Sequence, residues 1–148
     1  MNTLQITKII QNDSITKNQY LGTFAFDKLP QIVRYPSCLI FNTHKSNQSG
    51  EHWLAIYYNK NKSCYFFDSM GFHPNHYNIT EYLKSTSTFF TYNKKQIQGI
   101  FSTYCGYYCI NFLLTRSRNI SLKEFFKYFD HSPKDNDLAI KALIVKSK

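Results

Sequence analysis

Apolar residues recur along this chain in two rhythms. Leu4, Ile6, Ile9 and Ile10 fall at near-helical spacing within Thr3 to Asn12, which predicts a short helix broken by Asn12-Asp13-Ser14. Tyr20 to Pro30 is aromatic but interrupted by Gly22 and Asp27, and reads as an irregular segment lying on the core. Three compact apolar runs follow, Ser37 to Asn42, His52 to Tyr58 and Ser63 to Asp68, each reading as a strand. The turn-forming segments Ser46-Asn47-Gln48-Ser49-Gly50 and Asn59-Lys60-Asn61-Lys62 separate them. The second and third runs form a predicted hairpin, with Ser69-Met70-Gly71 as the turn beyond it. The period then changes. Thr80 to Ser85 starts a helix, Thr88 to Tyr92 makes a fourth short strand, and Cys105 to Arg116 places Cys105, Tyr108, Cys109, Phe112 and Leu113 on one helical face. Ser121 with Glu124 has the capping-box pattern and opens a helix through Phe129, and Asp135 to Val145 forms the last helix. Strands in the middle with helices mainly after them argue an α+β domain.

Composition supports one domain and narrows its setting. The chain has 148 residues, 43% of them hydrophobic, enough for one core and too few for two. Thirteen Phe, twelve Tyr and one Trp exclude the aromatic-poor signature of a disordered tail. We therefore assign residues 1–148 to a single domain. Met1-Asn2-Thr3-Leu4 opens no secretory signal pattern, and the longest apolar runs fall far short of a bilayer span. The four cysteines, Cys38, Cys64, Cys105 and Cys109, are accordingly expected as reduced thiols in a cytosolic or nuclear setting rather than as disulfides. The net charge of +9 leans toward the C-terminal half in scattered groups such as Lys94-Lys95, Arg116 with Arg118, and Lys123 with Lys127. Such a surface either attracts polyanions or simply keeps the protein soluble.

Three segments are chemically pointed: Gly50-Glu51-His52-Trp53, Phe66-Phe67-Asp68-Ser69-Met70-Gly71, and Gln98 through Cys105-Gly106. A thiol at a helix N-terminus feels the positive end of the macrodipole, which favours thiolate. His52, on a strand beside it, can take the proton of Cys105 and form a thiolate–imidazolium pair. Asp68, on the adjacent strand, can orient that imidazole. The Gln98 amide, seven residues before the thiol, can join the Cys105 N–H in an oxyanion hole. Gly106 removes a side chain where a substrate backbone would approach the nucleophile. These pieces suit a cysteine hydrolase, although each alone has an ordinary explanation as a core thiol, an edge histidine or a turn aspartate.

Taken together, Gly50-Glu51-His52-Trp53-Leu54-Ala55, Cys64 through Phe72, and Gln98-Gly99 through Cys105-Gly106-Tyr107-Tyr108-Cys109-Ile110-Asn111-Phe112-Leu113 resemble the adenovirus endopeptidase (adenain) family, whose wider clan includes the SUMO-specific, Ulp-type proteases. The resemblance runs from about Tyr20 to Leu114 and includes Tyr20-Leu21-Gly22-Thr23-Phe24 and Leu39-Ile40-Phe41-Asn42-Thr43. It implies a papain-like cysteine protease fold of the adenain/Ulp type, a central mixed sheet flanked by helices with the nucleophile at a helix N-terminus. It makes Cys105 the nucleophile, His52 the general base and later acid, Asp68 the orienting carboxylate and Gln98 an oxyanion donor, with Gln96 as the competing amide. Trp53 in such enzymes shields the active centre, a role equally compatible with a core aromatic. Asp68 stands where adenoviral enzymes carry Glu, while Asp is the usual choice in the SUMO-protease branch. No Cys lies between Ser69 and Ile97, so a disulfide-linked peptide activator is not expected.

The resemblance further implies cleavage of viral or element-encoded capsid and core precursors at Gly-containing motifs. Compact enzymes of this kind are encoded by polinton-type transposons, adintoviruses and virophages. It implies no cofactor beyond DNA as a non-specific contact and activator, no membrane association, and a monomer acting in the virion or the host nucleus or cytoplasm. Three readings compete: zinc held by Cys105 and Cys109 with His44 or His52, a non-catalytic basic nucleic-acid-binding module, and a deubiquitinase or SUMO-type isopeptidase of the same clan. Zinc lacks the usual paired ligand spacing. A binding module leaves His52, Asp68, Gln98 and Cys105-Gly106 unexplained. His44, His73, His76 and His131 read as surface or loop histidines.

Overall fold

Every residue of β2 (Ser37–Asn42), β3 (Trp53–Tyr58) and β4 (Cys64–Phe67) is buried. That is why these strands read as unbroken apolar runs: both faces of the sheet are covered, so no position is spared for water. The computed structural model describes residues 1–47 and 52–146, with side chains as far as residue 143. Gln48 to Glu51, part of one predicted turn and of the first chemical segment, lies outside the described residues.

Among the described residues five strands form one sheet in the order β1-β2-β3-β4-β5. Antiparallel pairing joins β2 to β3 and β3 to β4 in the predicted hairpin, while β1 (Tyr20–Phe24) and β5 (Phe90–Tyr92) add in parallel at the edges. One prediction fails here. Tyr20 to Phe24 is an edge strand rather than an irregular segment; only Phe26–Lys28 beyond it is a 3-10 turn. Its register shifts between Tyr20 and Gly22, and this irregularity hides the strand from periodicity.

Two cores sit on opposite faces of the sheet. On one face Cys38, Ile40, Ala55, Tyr57 and Phe67 meet α3 (Cys105–Ser117), flanked by α1 (Thr3–Gln11), α4 (Leu122–Tyr128) and α5 (Pro133–Lys146). On the other, Leu39, Phe41, Leu54, Ile56 and Phe66 are covered by Ile79 and Leu83 at α2 (Thr80–Thr86). Phe67 stacks on Phe112 of α3 with ring centroids 4.6 Å apart, so sheet and helix interlock at the centre. Ser121 caps α4 by accepting the Glu124 N–H at 3.2 Å. This α+β arrangement, a mixed sheet with helices on both faces, matches the fold class expected from sequence.

Candidate active site

The N-terminus of α3 lies against the start of β3. Cys105 is the first residue of the helix, and Tyr104 before it supplies no side-chain cap, so the first-turn N–H groups remain directed at whatever stands there. The Trp53 backbone N–H donates to Cys105 Sγ at 3.5 Å, which joins helix and strand at the thiol itself. His52 immediately precedes β3, and its Nε2 lies 2.7 Å from Asp68 Oδ1. The other ring nitrogen is thereby left for the thiol. Asp68 follows β4 and is completely buried.

The electrostatics of these three groups are coupled. For Cys105, burial works to raise the thiol pKa, but the hydrogen bond and positive charge of His52, with the Trp53 and Gly106 N–H groups, outweigh it and hold the thiol below its ordinary value. Burial disfavours a charged His52, yet hydrogen bonds to Asp68 and Cys105 push it up to about 9. Burial likewise opposes the Asp68 carboxylate, and His52, Tyr77 and the Met70 N–H keep it below the usual carboxylate range. The other three thiols go the opposite way. Burial raises Cys64 to about 11 and pushes Cys38 and Cys109 far up.

Among the described residues the Asp68 carboxylate has three further donors besides His52. The Met70 N–H donates to Oδ1 at 2.9 Å, the Phe72 N–H to Oδ2 at 3.1 Å, and the Tyr77 hydroxyl to Oδ2 at 2.6 Å. The ring of Tyr77 also lies beside that of His52, with centroids 6.0 Å apart. Asn93, buried just past β5, accepts the Asp68 N–H at 3.1 Å and donates to the Asp68 carbonyl at 2.6 Å, standing in for one more strand residue. Tyr77 and Asn93 escaped the reading of the sequence. The one signal available is that a buried carboxylate needs several donors.

Gln98 is buried, with its side-chain oxygen accepting from the Ser69 hydroxyl and its Nε2 donating to the Ser102 carbonyl at 2.8 Å. Gln98 and His52 line one open cleft of about 650 Å³, with Met70, Phe72, Ile100 and Ser102. Gln96 is turned to a different task, donating from Nε2 to the Gln98 carbonyl at 2.8 Å. Gly106 departs from expectation. A Cβ there would stand 3.0 Å from Met1 Sδ and 3.2 Å from Trp53 Cδ1, so the missing side chain makes room for the protein's own core rather than for a substrate. Trp53 is the neighbour concerned: it is buried in that core, and its indole N–H donates to the Met1 carbonyl at 3.1 Å. Among the described residues no group of three or more His, Cys, Asp or Glu is placed to hold a metal ion. No described helix is long and apolar enough to cross a membrane.

Comparison with known proteins gives this arrangement a lineage. The family model described as adenovirus endoprotease matches residues 20–133. The chain belongs to the adenovirus endoprotease family. It is 32% identical over 111 residues to a protease of human adenovirus A serotype 12, a match covering 64% of this chain and 53% of that protein. The chain thus spans about half the length of that adenoviral relative. A crystal structure of the ASFV pS273R protease shares the fold, with a TM-score of 0.57 at 19% identity over 93% of this chain and 64% of the other. His52, Asp68, Gln98 and Cys105 all fall inside the stretch matched to the adenovirus endoprotease family, whereas α1 and nearly all of α5 lie outside it.

Proposed function

We propose that this chain is a cysteine endopeptidase with Cys105 as nucleophile, His52 as base and acid, and Asp68 as the carboxylate that orients the imidazole. The observation that carries the reading is the chain of contacts from buried Asp68 through His52 to the thiol at the head of α3. The Cys105 thiolate attacks the scissile carbonyl, and His52 gives its proton to the departing amine as the C–N bond breaks. The acyl-enzyme is then hydrolysed by a water whose proton His52 accepts, and Cys105 leaves as thiolate. The developing oxyanion takes hydrogen bonds from the Cys105 N–H and from the Gln98 amide, which carries a second N–H proton beside the one given to Ser102.

Membership of a viral protease family supports viral or element-encoded protein substrates. Capsid and core precursors cut at Gly-containing motifs are the substrates we assign, because an extended Gly-rich segment lets its backbone approach a recessed thiolate. Action as a monomer in the virion or infected cell, with DNA as a non-specific contact and activator, completes the proposal.

The test is direct. Cys105→Ala should abolish cleavage of a peptide bearing a Gly-Gly motif while leaving the thermal unfolding of the protein intact. Residual cleavage by the folded variant would overturn the assignment of the nucleophile.

A further inference from the structure

Gln98 is gripped from two sides. The turn after Asp68 holds one side: the Ser69 carbonyl accepts the N–H groups of Ile97 and Gln98 at 2.9 and 3.1 Å. The last helix, α5, holds the other. Buried Asn136 donates from Nδ2 to the Ile97 carbonyl at 3.1 Å, and Asp137 Oδ2 accepts the Gly99 N–H at 3.2 Å. Two consecutive residues of one helix thus fasten the peptide groups on both flanks of Gln98. Gly99 permits the approach, since a Cβ there would come within 2.7 Å of Asp137 Oδ2.

Asp137 makes a second contact. Its Oδ1 accepts the Tyr108 hydroxyl at 2.6 Å, and Tyr108 is fully buried in α3, one turn beyond Cys105. One carboxylate therefore ties the nucleophile helix to the Gln98 loop, beside a longer direct contact from the Tyr108 hydroxyl to the Ile97 carbonyl at 3.5 Å. The two donors assigned to the oxyanion hole come from those same two segments, and stabilising an oxyanion requires them at a fixed separation.

We propose that Asp137, with Asn136, is a positioning residue that sets the Gln98 amide relative to the Cys105 N–H, so that α5, which lies almost wholly beyond the stretch matched to the family, controls oxyanion stabilisation. This rests on the cysteine-protease reading above. The tie leaves the His52–Asp68 arm alone and acts on acyl transfer rather than on thiolate formation.

Two reactions of Cys105 separate these roles. Alkylation by iodoacetamide displaces iodide at a CH2 carbon and generates no oxyanion, whereas acylation by an activated ester of a Gly-Gly acyl group does. Asp137→Ala should lower kcat for the ester by about 10- to 100-fold with little change in KM, because a displacement of about 1 Å costs about that much. The alkylation rate and its pH profile should stay within about twofold. Asp137→Asn should restore most of kcat, since its amide oxygen accepts the Gly99 N–H and its NH2 donates to the Tyr108 oxygen. Tyr108→Phe, which removes the hydroxyl's bond to Asp137 and its longer contact with the Ile97 carbonyl but leaves Asp137 on the Gly99 N–H, should show a smaller loss and serves if Asp137→Ala fails to fold. Retained kcat in Asp137→Ala, or in Tyr108→Phe where that variant stands in, overturns the inference. So does parallel loss of acylation and alkylation. Gln98→Ala distinguishes the layers: if it loses kcat and Asp137→Ala does not, only the inference falls. If Gln98→Ala loses nothing, the oxyanion reading falls and takes the inference with it.

Discussion

Asp68 can stay charged without water because His52, Tyr77 and the N–H groups of Met70 and Phe72 satisfy its two oxygens. Its charge in turn holds the proton on His52, and His52 stabilises the Cys105 thiolate. The ion pair is expected at pH values above the lowered thiol pKa and below about 9, where His52 would lose its proton. Iodoacetamide should therefore label Cys105 near neutral pH, well before Cys64, whose thiol ionises at about 11, and before Cys38 and Cys109. Equal labelling of all four would contradict the activated thiolate. Peptide hydrolysis should decline above about pH 9, as the proton needed by the leaving amine is lost from His52. Asp68→Asn should lower kcat by up to roughly 10⁴-fold, the scale seen when the orienting carboxylate of a serine-protease triad is neutralised. Tyr77→Phe removes one of the donors and should cost about 1 kcal/mol in stability with a smaller loss of kcat, read by urea unfolding and steady-state kinetics. His52, Asp68 and Cys105, which the structure brings together, could be singled out from sequence because the chemistry proposed for them restricts residue type. Tyr77 and Asn93 were not, since a phenol or an amide donating to a buried carboxylate follows from three-dimensional proximity alone.

At the scale of elements, the turn after β4 and the strand-to-helix connection after β5 form one strapped unit. Gly71 sits at φ 75° and donates its N–H to the Asp68 carbonyl at 2.9 Å. A Cβ on Gly71 would lie 2.7 Å from the Lys95 carbonyl carbon and 2.8 Å from the Gln96 nitrogen, both backbone atoms with little freedom to yield. Gly71→Ala should cost roughly 2–4 kcal/mol through left-handed strain and steric overlap, measured as a lowered denaturation midpoint. It should also lower activity, because the displaced connection carries Gln98 with it. An unchanged midpoint would show that the connection repacks freely. The sequence revealed the central strands and the five α-helices among the described residues, since these carry long, consistent apolar patterns. It concealed β1 because a bulge at an edge breaks the alternation that identifies a strand. It misattributed Gly106 because one chain alone does not say on which side of a helix the missing side chain would have fallen.

The whole molecule carries its positive excess on exposed side chains such as Lys94, Lys123 and Lys127. If this surface tracks DNA as proposed, the affinity for a short duplex should fall steeply with salt, with a log–log slope of about −0.9 for each phosphate neutralised. Activity stimulated by that duplex should fall in parallel. Affinity insensitive to salt would assign the charge to solubility alone. The bond from the Trp53 N–H to Cys105 Sγ bears on time as well as on space. Its two residues stand 52 positions apart, in different elements, and meet only after the sheet and α3 have docked. A chain still emerging from the ribosome holds Cys105 as an ordinary, mostly protonated thiol with no imidazole or oxyanion donor beside it, and so without peptidase activity toward neighbouring proteins. Hydrolytic competence then arrives with tertiary closure, so the rate at which the proposed peptidase activity returns during refolding is a clock for the last stage of folding.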